Sequence, residues 1–237
     1  MEAEFQALEL RIVECRRCPR LVEWREKVAR EKVRRYRTEE YWGRPVPAFG
    51  SPGAALILIG LAPAAHGGNR TGRIFTGDRS GDWLYEALYR YGFANRATST
   101  GRDDGLALND CLITAAVRCA PPENKPLPEE MSNCQEYLRN ELQLAESKRV
   151  VIALGQVAFR SFLKIWKERT GLPSGGRFEF SHGGEWNLPG GVILIASYHP
   201  SQQNTQTGKL TRPMFHAIFR RAREILKNSQ DRLQNSE

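Results

Sequence analysis

The chain has 237 residues, 41% of them hydrophobic, a net charge of +8 and a pI of about 9.4. This hydrophobic fraction excludes an intrinsically disordered chain, and the length is sufficient for one sizeable core. No apolar run reaches the length of a membrane span, and the acidic N-terminus lacks a signal-peptide core, so we expect a cytoplasmic protein without membrane contact. The positive charge favours a polyanionic partner such as nucleic acid, although a basic protein without such a partner is an equal alternative.

Along the chain, residues 1–40 are predicted to form a helical segment rich in Arg and Lys, interrupted at Cys18-Pro19. A Pro- and Gly-rich connection follows at 42–54. Beyond it, short apolar runs typical of buried strands alternate with helical patterns. The predicted strands are 55–60, 110–117, 149–155 and 191–197, and the predicted helices are 80–91, 128–146, 156–168 and 212–227. Residues 228–237 are expected to be a polar tail.

This alternation predicts one α/β domain over residues 1–237, with a central, mostly parallel four-stranded sheet and helices on both faces. In such three-layer α/β/α folds the functional site lies beyond the carboxyl ends of the strands. The stretches GLAPAAHGG, RCAPPENKP, GQVAF and YHPSQQN all follow predicted strands. We therefore expect these four loops to converge on one cleft.

The first loop, residues 60–78 (GLAPAAHGGNRTGRIFTGD), contains five glycines. Glycine is favoured where φ is positive or where another molecule approaches the backbone closely. Neither G-x-x-x-x-G-K-[ST] nor G-x-G-x-x-G is present, so no nucleotide cofactor is expected. The candidate side chains are Arg70 and Arg73 for phosphate contacts, Phe75 for stacking on a planar ring, and Asp78 as an acid. The structural alternatives make Phe75 a core anchor and Asp78 the N-cap of the next helix.

The second candidate loop is residues 198–211 (YHPSQQNTQTGKLT). Because His199 precedes a proline, it cannot easily be helical, and its imidazole is held at the strand tip. A histidine there can donate a hydrogen bond to developing negative charge, although a lone histidine at a strand end is more often structural. The loop is polar enough to enter a DNA groove. Its predicted DNA contacts are Ser201, Lys209 and Leu210, the last as an apolar wedge.

The chain has five cysteines, an odd count that argues against a disulfide framework. Cys15 and Cys18 form a C-x-x-C pair, and Cys119 and Cys134 lie further along the chain. Cys111 lies in an apolar strand, where a cysteine is usually a small buried hydrophobic residue. The pattern favours a four-cysteine metal site plus one bystander. Spacing alone does not separate zinc from an iron–sulfur cluster, and a redox-active C-x-x-C pair remains an alternative.

Together, these motifs resemble the uracil-DNA glycosylase superfamily. The stretches GLAPAAHGGNRTGRIFTGD and HPSQQNTQTGKLT are similar to the two signature motifs of its family 5, the type B enzymes, and the resemblance extends from Cys15 to the last helix. It implies that a [4Fe-4S] cluster is held by Cys15, Cys18, Cys119 and Cys134. It also implies that Phe75 stacks on a uracil flipped out of DNA, with the backbone near Gly60 and Ala62 against the base.

Two positions depart from related families. Ala62 stands where the best-known uracil-specific family has an aspartate that helps activate water, and Asp78 is the nearest replacement. Ala115 stands where family 4 has an asparagine that contacts the uracil edge, and Asn124 is the candidate substitute. A pocket without these two groups should be roomier and less strict, and the resemblance to family 5 accordingly implies activity beyond uracil, including deaminated purines such as hypoxanthine.

These expectations combine into a DNA repair glycosylase that hydrolyses the N-glycosidic bond of a deaminated base and leaves an abasic site. We expect His199 to stabilise the departing base anion and Asp78 to position water. No lysine is placed as a nucleophile, so neither a Schiff base nor strand cleavage is expected. The cluster is expected to be structural, and the protein a monomer by default. The alternatives are a non-catalytic DNA-binding protein with a structural metal site and a redox enzyme that uses the C-x-x-C pair.

Overall fold

The computed structural model describes residues 1–172 and 178–234, with side chains up to residue 229. Of the predicted tail at 228–237, residues 235–237 therefore lie outside the described residues. The helices are α1 (Glu2–Val13), α2 (Pro19–Glu31), α3 (Gly68–Thr71), α4 (Arg79–Arg90), α5 (Pro128–Leu144), α6 (Gln156–Thr170), α7 (Gln202–Gln206) and α8 (Arg212–Gln234). The strands are β1 (Phe49–Gly50), β2 (Leu56–Gly60), β3 (Cys111–Ala115), β4 (Val150–Leu154), β5 (Glu185–Leu188) and β6 (Val192–Ser197).

The α/β fold is confirmed: one sheet has the strand order β1-β3-β2-β4-β6-β5. The four predicted strands are β2, β3, β4 and β6, and they pair in parallel. Every residue of β2, β3 and β4 is buried, which explains why these strands appear in the sequence as continuous apolar runs. Helices therefore cover both faces of these three strands.

The sheet has six strands rather than the predicted four, because an antiparallel strand is added at each edge. β1 has only two residues and lies in the Pro- and Gly-rich connection, where no apolar run marks it. β5 has the sequence EWNL, and only Leu188 in it is fully buried. Edge strands that are short and partly exposed carry no continuous apolar pattern, so the sequence did not reveal them.

Side chains of the parallel strands alternate between two cores, as the pleat requires. On one face, Leu56 and Leu58 pack with residues of α4 and α8 such as Leu84 and Phe219. On the other face, Ile57 and Ile59 pack with residues of α5 and α6, including Leu138 and Phe162, and with Phe5 of α1. The predicted three-layer arrangement is present. No helix within the described part of the chain combines the length and apolar character needed to cross a membrane.

The N-terminal segment forms two helices, and the interruption falls where Cys18-Pro19 predicts it. Cys18 is the extended N-cap residue of α2, and Pro19 occupies the first helical position, where its missing N–H costs nothing. At the other end, α8 continues to Gln234, beyond the predicted end at residue 227. Residues 228–234 therefore belong to a helix and not to a tail.

Candidate active site

Two aromatic rings from separate loops meet at the carboxyl edge of the sheet. Phe75 lies in the loop after β2 and His199 in the loop after β6, and their ring centroids are 5.7 Å apart with 29° between the planes. Strand β4 lies between β2 and β6 and is followed by Gly155, where an added Cβ would lie 3.4 Å from the Cβ of His199. Three of the four predicted loops, those after β2, β4 and β6, thus meet over the end of the sheet.

His199 is a neutral imidazole near neutral pH, because burial lowers its pKa to about 4. Its backbone is fixed by Asn204, whose Nδ2 donates to the His199 carbonyl at 2.9 Å. Ser201 caps α7 by accepting a hydrogen bond from the Asn204 N–H at 3.3 Å. A neutral imidazole carries one N–H, so His199 can donate one hydrogen bond without bringing a charge into the site.

His182, which sequence analysis did not single out, anchors the strand tip that carries His199. The Tyr198 N–H donates to His182 Nδ1 at 3.1 Å, so the ring proton is on Nε2, which faces the Met214 carbonyl at 3.3 Å. The His182 and Tyr198 rings also stack, with centroids 5.2 Å apart. This histidine ties the loop after β6 to the start of α8, a connection that no local pattern in the sequence indicates.

The glycine-rich loop is folded tightly around Phe75. Its backbone φ is +55°, an uncommon value for a residue with a side chain. At Gly60 an added Cβ would lie 2.8 Å from Phe75 Cζ, and at Gly81 it would lie 1.7 Å from the Phe75 carbonyl oxygen. The preceding residue is held by Tyr85, whose hydroxyl donates to the Ile74 carbonyl at 2.8 Å. The glycines therefore make room first for the loop's own aromatic ring and backbone.

Asp78 is the N-cap of α4, as the structural alternative anticipated: its Oδ1 accepts a hydrogen bond from the Gly81 N–H at 3.0 Å. Its other oxygen, Oδ2, lies against Gly67, where an added Cβ would approach to 2.3 Å. Burial raises the pKa of Asp78. Hydrogen bonds from the Gly81 and Ser80 backbone N–H groups act in the opposite direction and lower it.

Arg70 and Arg73, the predicted phosphate contacts of the first loop, are buried. Arg70 is 7% exposed, pairs with Glu39 and donates to the His66 carbonyl at 2.8 Å. Arg73 is 6% exposed and donates to Asp104 at 2.8 Å and Ser99 at 3.1 Å. Both guanidinium groups brace the loop from inside with their donors engaged, and their contacts with phosphate stay a prediction. The sequence pattern could not show that carboxylates elsewhere in the chain already pair with them.

In the loop after β6, the predicted DNA contacts separate into two groups. Lys209 is exposed, with its Nζ 4.9 Å from the centre of the Tyr198 ring, and Ser201 is half-buried. Leu210 is only 1% exposed and belongs to the core beside α8, so a wedge role does not fit this structure. Its N–H donates to the Asn204 carbonyl at 2.9 Å, which closes the loop. Burial of the one large apolar side chain is what anchors this otherwise polar loop.

The remaining candidate pocket residues occupy different positions. Ala115, at the end of β3, is fully buried. Ala62 packs against the cluster of apolar side chains that surrounds the cysteines Cys18 and Cys119. Asn124 is exposed in a 3-10 turn, with φ at +58°. The structure thus places Ala62 where the glycine-rich loop packs against the cysteines, and Asn124 on the surface of the loop after β3.

Four of the five cysteines line a single pocket, as the sequence grouping anticipated. They come from the junction of α1 and α2, from the loop after β3 and from α5: Cys15, Cys18, Cys119 and Cys134. All five cysteines are free thiols. Cys111 is buried in β3, away from that pocket, and burial raises its pKa well above the usual value. Among the described residues, no three His, Cys, Asp or Glu side chains are close enough to hold a single metal ion.

Two buried arginines line the same pocket. Arg25 donates to Cys119 Sγ at 2.9 Å and to the Cys15 carbonyl at 3.1 Å, yet its Nε has no partner. Arg118 pairs with Glu141, and its Nε and Nη1 are buried without a partner. Their side chains are 2% and 1% exposed. Unpaired buried donors are costly, so this donor set fits a bulky anionic group held among the four sulfur atoms.

The fold and the site together define a class of protein: an α/β sheet with a histidine–phenylalanine pair at its carboxyl edge and a four-cysteine pocket. Known proteins share this class. The family model described as the uracil DNA glycosylase superfamily matches residues 47–223. The chain is 50% identical over 211 residues to a type-5 uracil-DNA glycosylase of Thermus thermophilus, covering 89% of this chain and 93% of that protein.

Similar agreement is found with other relatives. A type-5 uracil-DNA glycosylase of Mycobacterium leprae is 49% identical over 219 residues, which cover 92% of this chain and 94% of that protein. A type-4 uracil-DNA glycosylase of Pyrobaculum aerophilum is 30% identical over 131 residues, or 55% of this chain and 59% of that protein. The chain belongs to the uracil DNA glycosylase superfamily, and the resemblance to family 5 drawn from the two motifs is confirmed.

Proposed function

We propose that this chain is a monofunctional DNA glycosylase that hydrolyses the N-glycosidic bond of uracil in DNA and leaves an abasic site. Its type-5 relatives are named for uracil-DNA glycosylase activity. The observation that supports the proposal most strongly is the stacked Phe75–His199 pair at the carboxyl edge of the sheet, where the two motif loops meet. The overall positive charge of +8 favours approach to DNA.

In this proposal the damaged nucleotide leaves the helix, because the bond between sugar C1′ and the base nitrogen cannot be reached inside a duplex. Phe75 offers a flat apolar face for the extruded base. The neutral His199 donates a hydrogen bond to the base. When the C1′–N bond breaks, its electron pair moves onto the base, so the hydrogen bond from His199 strengthens in the transition state.

Water completes the reaction at the sugar. Its oxygen bonds to C1′, and the proton that it loses passes to Asp78 or to solvent. Burial raises the pKa of Asp78, which makes its ionised form a better base than an exposed carboxylate. The Oδ2 atom beside Gly67 is free of the cap and is the atom we assign to this role.

The pocket should also accept bases other than uracil, including hypoxanthine. Ala62 and Ala115 present only methyl groups, where an aspartate or an asparagine would restrict the pocket to one pattern of hydrogen bonds. Asn124, exposed in its turn, would contact the base or the adjacent nucleotide only once DNA is bound. Lys209 and Ser201 remain the proposed DNA contacts of the loop after β6.

The four-cysteine pocket is proposed to hold a [4Fe-4S] cluster, which would cross-link the α1–α2 junction to the loop after β3 and to α5. Arg25 and Arg118 would face its negative charge. We expect Cys15→Ala to lower the iron content and the melting temperature. Cys111→Ala serves as the matched control and should keep full iron content. Equal loss of iron in both variants would contradict this set of ligands.

A panel of duplexes, each with one altered base, tests the proposed activity. The wild-type protein should release uracil and hypoxanthine but not thymine, and strand breaks should appear only after alkali treatment. Breakage without alkali would contradict the monofunctional assignment. If no base is released, the proposed activity is contradicted, and the alternative of a non-catalytic DNA-binding protein is favoured.

A further inference from the structure

A short turn beside the glycine-rich loop carries three exposed arginines. Arg34 and Arg35 lie in the 3-10 helix Arg34–Tyr36, and Arg37 follows it directly. Their side chains lie at the protein surface. We call these three residues the basic turn.

The basic turn groups three exposed arginines that lack carboxylate partners within four residues of the chain. Several exposed arginines elsewhere form ion pairs: Arg11 and Arg17 with Glu136, Arg16 with Glu26, Arg139 with Glu168, Arg212 with Glu86 and Arg221 with Glu185. Within the described part of the chain, Arg34, Arg35 and Arg37 form no ion pair with a carboxylate. Two nearby acids already have basic partners, since Glu39 pairs with Arg70 and Glu31 lies 4.0 Å from Lys27.

The basic turn is fixed directly against the candidate active-site loop. The Arg70 guanidinium lies 3.8 Å from the centre of the Tyr36 ring and pairs with Glu39. Beyond the turn, the Trp42 N–H donates to the Arg70 carbonyl at 2.8 Å. The Tyr41 hydroxyl lies 3.1 Å from His66 Nδ1. The buried Arg70 thus fixes the position of the basic turn.

We infer that the basic turn binds phosphates of the DNA strand that flanks the flipped nucleotide. Exposed guanidinium groups without carboxylate partners, beside the site, match the phosphodiester backbone in charge and in hydrogen-bonding geometry. Because the turn is held by packing against Arg70, little backbone conformational entropy is lost on binding. The contacts carry no base information, so they position the duplex and leave the choice of base to the pocket. The inference rests on the proposed function and is separate from the phosphate contacts predicted for Arg70 and Arg73.

The test compares two triple variants with the same change in charge. The first is Arg34→Gln, Arg35→Gln and Arg37→Gln. The matched control is Arg90→Gln, Arg169→Gln and Lys227→Gln, near the C-terminal ends of α4, α6 and α8, which lie toward the opposite edge of the sheet. Binding is measured against salt concentration on a duplex that contains a stable abasic-site analogue, and uracil release is measured under single-turnover conditions at saturating DNA.

If the basic turn contacts phosphate, the first variant should flatten the plot of log Kd against log salt by about 2 to 3 units, since each phosphate contact contributes about 0.9. The control should retain the wild-type slope, and all three proteins should release uracil at the same rate once saturated. Replacement of the three arginines by lysine keeps the charge and should restore the slope, which excludes a folding defect as the cause. An unchanged slope in the glutamine variant, or an equal loss in the control, overturns the inference. Absence of uracil release by the wild type contradicts the proposed function instead. The salt slopes then still decide whether the basic turn binds phosphate.

Discussion

At the scale of single residues, Asp78 combines a structural contact with a chemical possibility. Its Oδ1 caps α4, whereas Oδ2 is free of the cap beside Gly67. The substitution Asp78→Asn preserves the cap, because asparagine is as good an N-cap as aspartate, but it removes the carboxylate. We therefore expect this variant to keep the melting temperature and to slow hypoxanthine release more than uracil release, since a poorer leaving group depends more on the attacking side. Single-turnover rates on both duplexes measure this.

Asp78→Ala is the companion variant. It removes both the cap and the carboxylate, so it should also lower stability by about 0.5–2 kcal/mol. If Asp78→Asn releases both bases at wild-type rates while Asp78→Ala only melts earlier, Asp78 is a helix cap and nothing more.

Arg25 supports a second prediction at this scale. It joins the two halves of the cysteine pocket by donating to the Cys15 carbonyl at 3.1 Å and to Cys119 Sγ at 2.9 Å. Arg25→Met removes these bonds and leaves buried acceptors unpaired, so stability should fall by about 1–3 kcal/mol and iron should be lost faster. Iron release to a chelator and thermal melting measure the effect. Arg16→Met, an exposed arginine paired with Glu26, is the control and should change little; equal iron loss in both variants would contradict a special role for Arg25.

At the scale of elements, the end of β2 fixes the position of the Phe75 ring. A Cβ at Gly60 would lie 2.8 Å from Phe75 Cζ, so Gly60→Ala must displace the ring. Displacement of a positioning group by a fraction of an ångström to one ångström slows catalysis, so we expect uracil release to fall by about 10- to 100-fold. Single-turnover kinetics measure the rate.

Gly53→Ala is the matched control in the turn before the strand, where the nearest atom is 3.5 Å from the added Cβ. It should leave the rate unchanged. A wild-type rate in Gly60→Ala would mean that the Phe75 ring does not need its present position.

The elements also show where sequence-based prediction succeeds and where it fails. The four parallel strands were predictable because burial on both faces makes them almost continuously apolar, and the two motif loops follow from the ends of those strands. The edge strands β1 and β5 lack that pattern. The burial of three predicted DNA contacts, Arg70, Arg73 and Leu210, was not predictable. It depends on partners distant in sequence, such as Asp104 for Arg73. A charged residue in a polar loop is expected to be exposed unless the fold supplies its partner.

At the scale of the whole molecule, partly buried histidines should couple folding to pH. Burial lowers the pKa of His199 to about 4 and also lowers the pKa values of His66 and His182. An unfolded histidine has a pKa of about 6.5, so between that pH and 4 the unfolded chain binds more protons than the folded one. Stability should therefore fall as the pH drops below about 6.5.

The variant His199→Gln isolates the contribution of this histidine, because glutamine does not titrate. Melting temperatures measured from about pH 7.5 to about pH 5 should decline less steeply for the variant than for the wild type. Parallel curves would contradict a neutral His199 in the folded protein.

The account as a whole depends on His199 acting on the departing base, and the single-turnover rate of uracil release by His199→Ala tests this most directly. Loss of one transition-state hydrogen bond should lower the rate by about 10²–10³-fold, or about 3–4 kcal/mol, with little change in Kd for the abasic-analogue duplex. His216→Ala is the control on α8, where His216 contacts Glu86 at 2.9 Å, and it should keep the wild-type rate. A His199→Ala protein that is folded, binds DNA normally and releases uracil at the wild-type rate would contradict the account.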